Sequence, residues 1–176
     1  MARYNRWTTA EQVSEGIDLT GRNALVTGAN TGIGMETARV LALRGAHVTM
    51  ACRNLEKAEL ARRAILGSGG RRIDDSQLDL LELDLNSLAS TRRSADVFNS
   101  RGRTLHLLVN NAGIMIPMLR RTADGFEAHL GINHLAHFLF TNLLLEALRS
   151  TGRARVVMVS SLAMSGATLT PTLHDL

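Results

Sequence analysis

Three glycines in the run Thr27-Gly28-Ala29-Asn30-Thr31-Gly32-Ile33-Gly34 are spaced so that backbone amides, rather than side chains, can meet an anion. The chemistry this permits is the holding of a pyrophosphate. One glycine turns the chain sharply off a strand, a second leaves bare backbone beside the phosphates, and a third lets the next helix pack closely. Gly28, Gly32 and Gly34 stand in those three places, with Asn30, Thr31 and Ile33 between them. The open amides and the positive dipole end of the helix would then face the ligand. Glycines at such spacing also serve plain turns, so the run alone leaves both readings open.

A second group bears on which ligand. Ala51-Cys52-Arg53-Asn54 holds no acid before Glu56. An acidic side chain after the second strand would accept a hydrogen bond from a ribose 2′-hydroxyl and repel a 2′-phosphate. Arg53 offers instead a planar, permanently charged donor fork. The expectation is NADP rather than NAD, with Arg53 and Asn54 as contacts; the competing reading is a solvated loop arginine.

These groups need elements to position them, and the chain supplies an alternation. Apolar runs at residues 23–27, 47–51, 78–83, 105–109 and 156–159 read as strands. Helical patterning covers residues 36–43, 55–66, 88–99 (capped by Asn86 or Ser87) and 126–149. The Gly67-Ser68-Gly69-Gly70 run is a loop, since the alternation resumes directly after it. Strands that alternate with helices imply right-handed crossovers and a parallel sheet. Continuous apolar strands imply that both sheet faces are covered. The fold class is α/β, doubly wound, with about five strands; residues 1–17 form a polar lead before the domain.

The spacing Thr-Gly-x3-Gly-x-Gly resembles the signature of the short-chain dehydrogenase/reductase family, and further marks follow in order. Asp84-Leu85 matches the pair that contacts adenine. Asn110-Asn111-Ala112-Gly113 matches the NNAG segment. Asn133, in Gly131-Ile-Asn-His-Leu-Ala-His-Phe, falls at the family's helix asparagine, and Val159-Ser160-Ser161 at its serine. The wording of "LALRGAHVTMACRN", "DGFEAHLGINHLAHFLFTNLLL" and "RVVMVSSLA" is similar to the retinol dehydrogenase and protochlorophyllide reductase-like branch. The resemblance runs from about residue 18 to residue 176.

The resemblance implies a Rossmann domain and hydride transfer between an alcohol and a carbonyl through a nicotinamide. It implies cofactor contacts from Asp84, Leu85, Asn111, Ala112 and Gly113. Ser161 would orient the substrate oxygen, and Asn133 would hold a water beside a lysine. The family's proton donor is a tyrosine four residues before that lysine, beyond the serine. Here the single tyrosine is Tyr4 and the single lysine Lys57, and neither can supply that motif. The expectation is therefore a chain incomplete at its C-terminus, without the last strands, that binds cofactor but does not turn over; the alternative is a non-catalytic binding fragment or a remnant. The substrate is expected to be a small-molecule alcohol or carbonyl, bulky and apolar by analogy of branch, with a homodimer for the longer protein.

Composition narrows the field. With 176 residues, 45% hydrophobic and 20% charged, the chain suits one globular domain. Its net charge of +4 comes from arginine pairs spread along the chain, without the aromatic clustering of a nucleic-acid binder. One cysteine excludes an internal disulfide and fits a reducing compartment, and the polar N-terminus lacks a signal-peptide core. No run is long and apolar enough to span a membrane. These features point to a cytoplasmic protein. His134 and His137, near His129, share a helix face without a third ligand, so no metal is assigned. Met115 and Met118 are expected to pack near the cofactor mouth.

Overall fold

Five parallel strands make up the sheet in the computed structural model, which describes residues 4–5, 7–68 and 73–161. In chain order the elements are α1 (Ala10–Val13), β1 (Asn23–Thr27), α2 (Gly32–Leu43), β2 (His47–Cys52), α3 (Leu55–Gly67), β3 (Leu78–Glu82), α4 (Leu88–Ser100) and β4 (Leu107–Asn110). A π-helical stretch, His129–Leu135, then leads into α5 (Ala136–Leu143), α6 (Leu145–Arg149) and β5 (Arg155–Met158). Across the sheet the order is β3-β2-β1-β4-β5. This is the doubly wound α/β arrangement that the alternation predicts. Winding reverses between β1 and β4, and at such a point the carboxyl ends of the strands open a crevice.

The strands read as continuous apolar runs because side chains of both orientations are buried. Ala24 and Val26 join Val48, Met50 and Ile65 on the face covered by α2 and α3. Leu25, between them, joins Leu108, Phe98 and Phe140 on the face covered by α4 and α5. The strand facing solvent is β5, where Val156 and Val157 are 42% and 43% exposed. Among the described residues no helix is long and apolar enough to cross a membrane.

The differences from the sequence reading have local causes. Helix α2 starts at Gly32, four residues early, because the second half of the glycine run is itself the first helical turn. Strand β4 starts at Leu107, since the Leu105 amide donates to the Ala147 carbonyl (2.7 Å). The boundaries of β2, β3 and β5 shift by one residue each. The Ser87 hydroxyl, not Asn86, caps α4 by accepting from the Ser90 amide (3.3 Å). The polar lead is partly folded: Thr9 and Gln12 form a capping box on α1. Arg44, just after α2, then donates to the Glu11 carbonyl (2.7 Å) and the Ser14 hydroxyl (3.0 Å).

The largest departure is the stretch expected as one helix over residues 126–149. Its first residues belong to a small hairpin, closed by the Thr122 amide on the Phe126 carbonyl and the Ala128 amide on the Arg120 carbonyl. The helix begins at His129, where the Glu127 carboxylate accepts from the amides of His129 and Leu130 (2.9 Å each). It opens as a π-helix, with the Ala136 amide reaching back to the Gly131 carbonyl, and breaks again at Leu144. Gly131 lies directly against Thr122: a β-carbon there would overlap the Thr122 methyl and press on Phe126. Gly131→Ala is expected to cost about 1–3 kcal/mol by overpacking. The double variant with Thr122→Ser, which removes that methyl, should recover a substantial part in urea unfolding.

Candidate active site

A cleft of about 190 Å³ opens at the carboxyl ends of the strands, with Gly28, Asn30, Arg53, Asp84, Ala112 and Ile132 on its walls. It occupies the switch point between β1 and β4. Gly28 turns the chain off β1 with φ +66°, and any β-carbon there would press against Ala112. Gly34 is closed in more tightly, since a β-carbon would overlap the Gly28 carbonyl oxygen and the Asn111 side-chain amide. Its tolerance for contact thus serves the two loops rather than a helix–sheet junction. Gly32 takes φ +54°, and among the described residues outside its own helix turn nothing stands within 4 Å of a β-carbon built there. Thr31, Gly32 and Ile33 are exposed. A larger hollow, about 450 Å³, lies against α4 and β3, lined by Glu82, Arg93, Val97 and Arg101, away from the glycine run.

The helix starts differ in a way that bears on an anion. Thr9, Asn54 and Ser87 each cap their helices with a side chain, whereas Thr31, the residue preceding α2, makes no such bond. The first turn of α2 is therefore without a side-chain cap, and its residues Gly32 and Ile33 are exposed. Asn54 accepts from the Lys57 amide through Oδ1 (2.8 Å), which assigns that oxygen to capping α3. Arg53 is exposed and enters no ion pair or hydrogen bond among the described residues, unlike Arg39, Arg62 and Arg103. Asp84 forms a local turn, accepting from the Asn86 amide (3.0 Å), and Leu85 is buried beside it.

The segment after β4 is tied to the end of β1. The Asn111 side-chain amide donates to the Thr27 carbonyl (2.9 Å), while the backbone amides of Asn111 and Ala112 both donate to the Thr27 hydroxyl (2.9 Å each). Asn111 thus backs the cleft, and Ala112 and Gly113 line it. Asn133, in the π-helical stretch, clamps the following residue: its Oδ1 accepts from the Ile114 amide (2.8 Å) and its Nδ2 donates to the Ile114 carbonyl (3.0 Å). Ser161 follows β5 at the same end of the sheet and is exposed. Sequence reasoning missed Thr27, His137, Cys52, Ile114 and Ile132. Thr27 was legible as the residue opening the glycine run; the others come into range only through the fold. Residues 162–176, the last part of the span of the resemblance, lie outside the described residues.

Burial sets the charge state of the buried groups. The Cys52 thiol is pushed up to about 11, by burial first, so it stays protonated despite donation from the Ala29 and Asn30 amides. His137 is held below the ordinary histidine range by burial, opposed by its bond to the Asn133 carbonyl and assisted by nearby His134. His129 is bracketed, with Nδ1 on the Glu127 carboxylate (2.7 Å) and Nε2 accepting from the Ile116 amide (3.1 Å). That pairing fastens the exposed Met115 and Met118 segment to the start of the helix.

Fold and site together define a doubly wound α/β protein with a glycine-lined cleft at its switch point. Comparison with known proteins gives the family. The short chain dehydrogenase family model matches residues 22–170, and the chain belongs to that family. It is 51% identical over 146 residues to retinol dehydrogenase 11 of Mus musculus, covering 83% of this chain and 45% of that protein. It is 50% identical over 149 residues to human retinol dehydrogenase 12, covering 84% and 45%. Among solved structures, a metagenomic short-chain oxidoreductase in complex with NADP superposes with a TM-score of 0.66 at 29% identity, over 85% of this chain and 66% of that one. The chain spans about half the length of the curated relatives it matches.

The lowered histidines predict a stability slope. In the unfolded chain a histidine binds its proton near pH 6.5. Buried His137 resists protonation, as does His47, chiefly through burial and then through Arg103. The unfolded state therefore binds more protons as the pH falls through 6.5, and stability declines in that window, by at most about 1.4 kcal/mol per pH unit for each such group. The lowered carboxylates Glu36 and Glu127 add their loss only in the acidic range below. The Tm should be lower at pH 5.5 than at pH 7.5, and His137→Gln should flatten the difference.

Proposed function

We propose that the cleft holds NADP(H) and that the longer protein uses it to pass a hydride between an alcohol and a carbonyl. When bound, the nicotinamide supplies the hydride chemistry. The observation that carries the reading is the cleft's construction: Gly28 pressed close to Ala112, the Asp84–Leu85 pair, and an Arg53 guanidinium without a partner among the described residues line one space at the end of the glycine run. Gly28, Asn30, Thr31, Gly32, Ile33 and Gly34 would carry the pyrophosphate. Asp84 and Leu85 would face adenine, and Asn111, Ala112 and Gly113 would bound the floor. Arg53 would meet the 2′-phosphate, and Asn54 would help through its remaining amide donors. A 2′-phosphate stacked against an unpaired arginine favours NADP over NAD. The solved relative in complex with NADP agrees in kind.

For the chemistry itself, Ser161 would orient the substrate oxygen and Asn133 would support the site through the Ile114 clamp. These 176 residues hold Tyr4 and Lys57 as single copies, on the lead and on α3, so a tyrosine–lysine pair beside Ser161 is not formed from them. The reading is that this chain binds the cofactor without turning over, with the substrate a small alcohol or carbonyl of apolar character. Met115 and Met118, expected to pack near the cofactor mouth, are largely exposed, and they do not line the cleft.

Two measurements test this. NADPH should raise the Tm of the chain in a concentration-dependent way, because a ligand bound only by the folded state stabilises it by mass action. Arg53→Ala should weaken NADPH at least about tenfold, the loss of one charge-assisted contact, and leave NADH nearly unchanged. Equal losses for both cofactors would remove the 2′-phosphate assignment, and measurable carbonyl reduction by the chain would refute the binding-only reading.

A further inference from the structure

The Thr27 hydroxyl lies at the base of the cleft and is fully buried, as is His137 of α5 at 1% exposure. Thr27 Oγ1 accepts the Asn111 and Ala112 amides and contacts His137 Nε2 at 3.0 Å. His137 Nδ1 lies 3.2 Å from the Asn133 carbonyl oxygen. That carbonyl can only accept, so Nδ1 carries the proton in this arrangement. A neutral imidazole then presents a lone pair at Nε2, and the Thr27 hydroxyl must donate its single proton there. Both oxygen lone pairs are left for the two amides. Every donor and acceptor of the chain Asn133–His137–Thr27–Asn111/Ala112 is used once.

From this closure we infer that His137 is a positioning residue: as the acceptor for the Thr27 hydroxyl, it fixes the Asn111–Ala112 loop against the dinucleotide cleft and couples that loop to the helix carrying Asn133. The coupling has a definite direction. If Nε2 ceases to accept, the Thr27 proton must turn toward one of its amide donors, and one loop bond is lost. The loop so loosened is the one whose Ala112 touches Gly28 across the cleft floor. The π-helical turn contributes by placing Asn133 and His137 so that one side chain grips Ile114 while the other reaches β1. The inference rests on the cofactor reading only for its effect on affinity; the hydrogen-bond chain itself does not need a ligand.

Two polar substitutions separate positioning from packing. His137→Gln places a carbonyl oxygen near the Nε2 position and can still accept from Thr27. His137→Asn places its amide near Nδ1, keeps the Asn133 carbonyl contact and falls short of Thr27. NADPH affinity, from the cofactor's fluorescence, and exchange rates of the Asn111 and Ala112 amides should be measured for both variants and the parent, with the Tm of each unliganded protein. The expected result is that Gln binds within about threefold of the parent while Asn is weakened at least about tenfold. The two amides should exchange faster in the Asn variant than in the Gln variant. Equal losses in Gln and Asn, losses that simply follow Tm, or unchanged exchange in both would overturn the inference. Should the parent itself fail to bind NADPH, the cofactor reading falls, and the exchange contrast between Gln and Asn alone decides the role of His137.

Discussion

One buried hydroxyl sets the geometry on which the cleft depends. Thr27 ends β1 with nothing but protein around it, and its oxygen meets two amides from the loop after β4 and an imidazole from α5. Three elements far apart in sequence converge on a single atom. A buried polar group is costly when any of its bonds is missing, and nearly free when all are made. The convergence therefore acts as a lock: the loop, the strand end and the helix occupy one relative placement or forfeit a bond in a dry environment. Gly28 and Gly34 follow from that lock, because the loop so placed leaves no room for a β-carbon at either position.

The sequence made the local part of this design legible and left the convergent part dark. Strand β1 was readable to the residue, since an apolar run ending at a glycine has one sensible boundary. The glycine run was readable because its spacing encodes a turn and a helix start within eight residues. Residues 126–149 misled, because propensity and apolar periodicity there favour a helix, and nothing local announces that Thr122 and Phe126 pair in a hairpin. The hairpin, the π-helical turn and the grip of Asn133 on Ile114 all arise from tertiary contacts of Gly131 and the loop. His137 was legible as a histidine on a helix face, but whether that face met solvent, metal or a buried hydroxyl depended on where β1 lay. Capping was an intermediate case: the Thr9-x-x-Gln12 pattern of α1 lies open in the sequence and was passed over in a polar lead.

Charge is partly paired away from the cleft, while Arg53 on the cleft wall has no ion pair among the described residues. Arg62 and Arg63 of α3 bind Glu59, and Asp79 takes up Arg101 and Arg103 at the start of β3. Of these arginines, Arg53 is the one that lines the cleft. Exposed ion pairs elsewhere add little to stability.

The cleft walls come entirely from the segment between Thr27 and Ile132, whereas the serine expected to meet substrate lies after β5. On the proposed reading, holding the dinucleotide and handling the reacting oxygen would fall to different stretches of chain. The first would rest on amides, glycines and one guanidinium fixed by β1, β2 and the loop after β4. The second would rest on Ser161 after β5 and on the helix that bears Asn133. The physical connection between the two stretches is the buried chain from Asn133 through His137 to Thr27. Binding can thus be formed, weakened or tuned within these residues independently of any proton donor, and the cradle's worth is measured by affinity before it is measured by turnover.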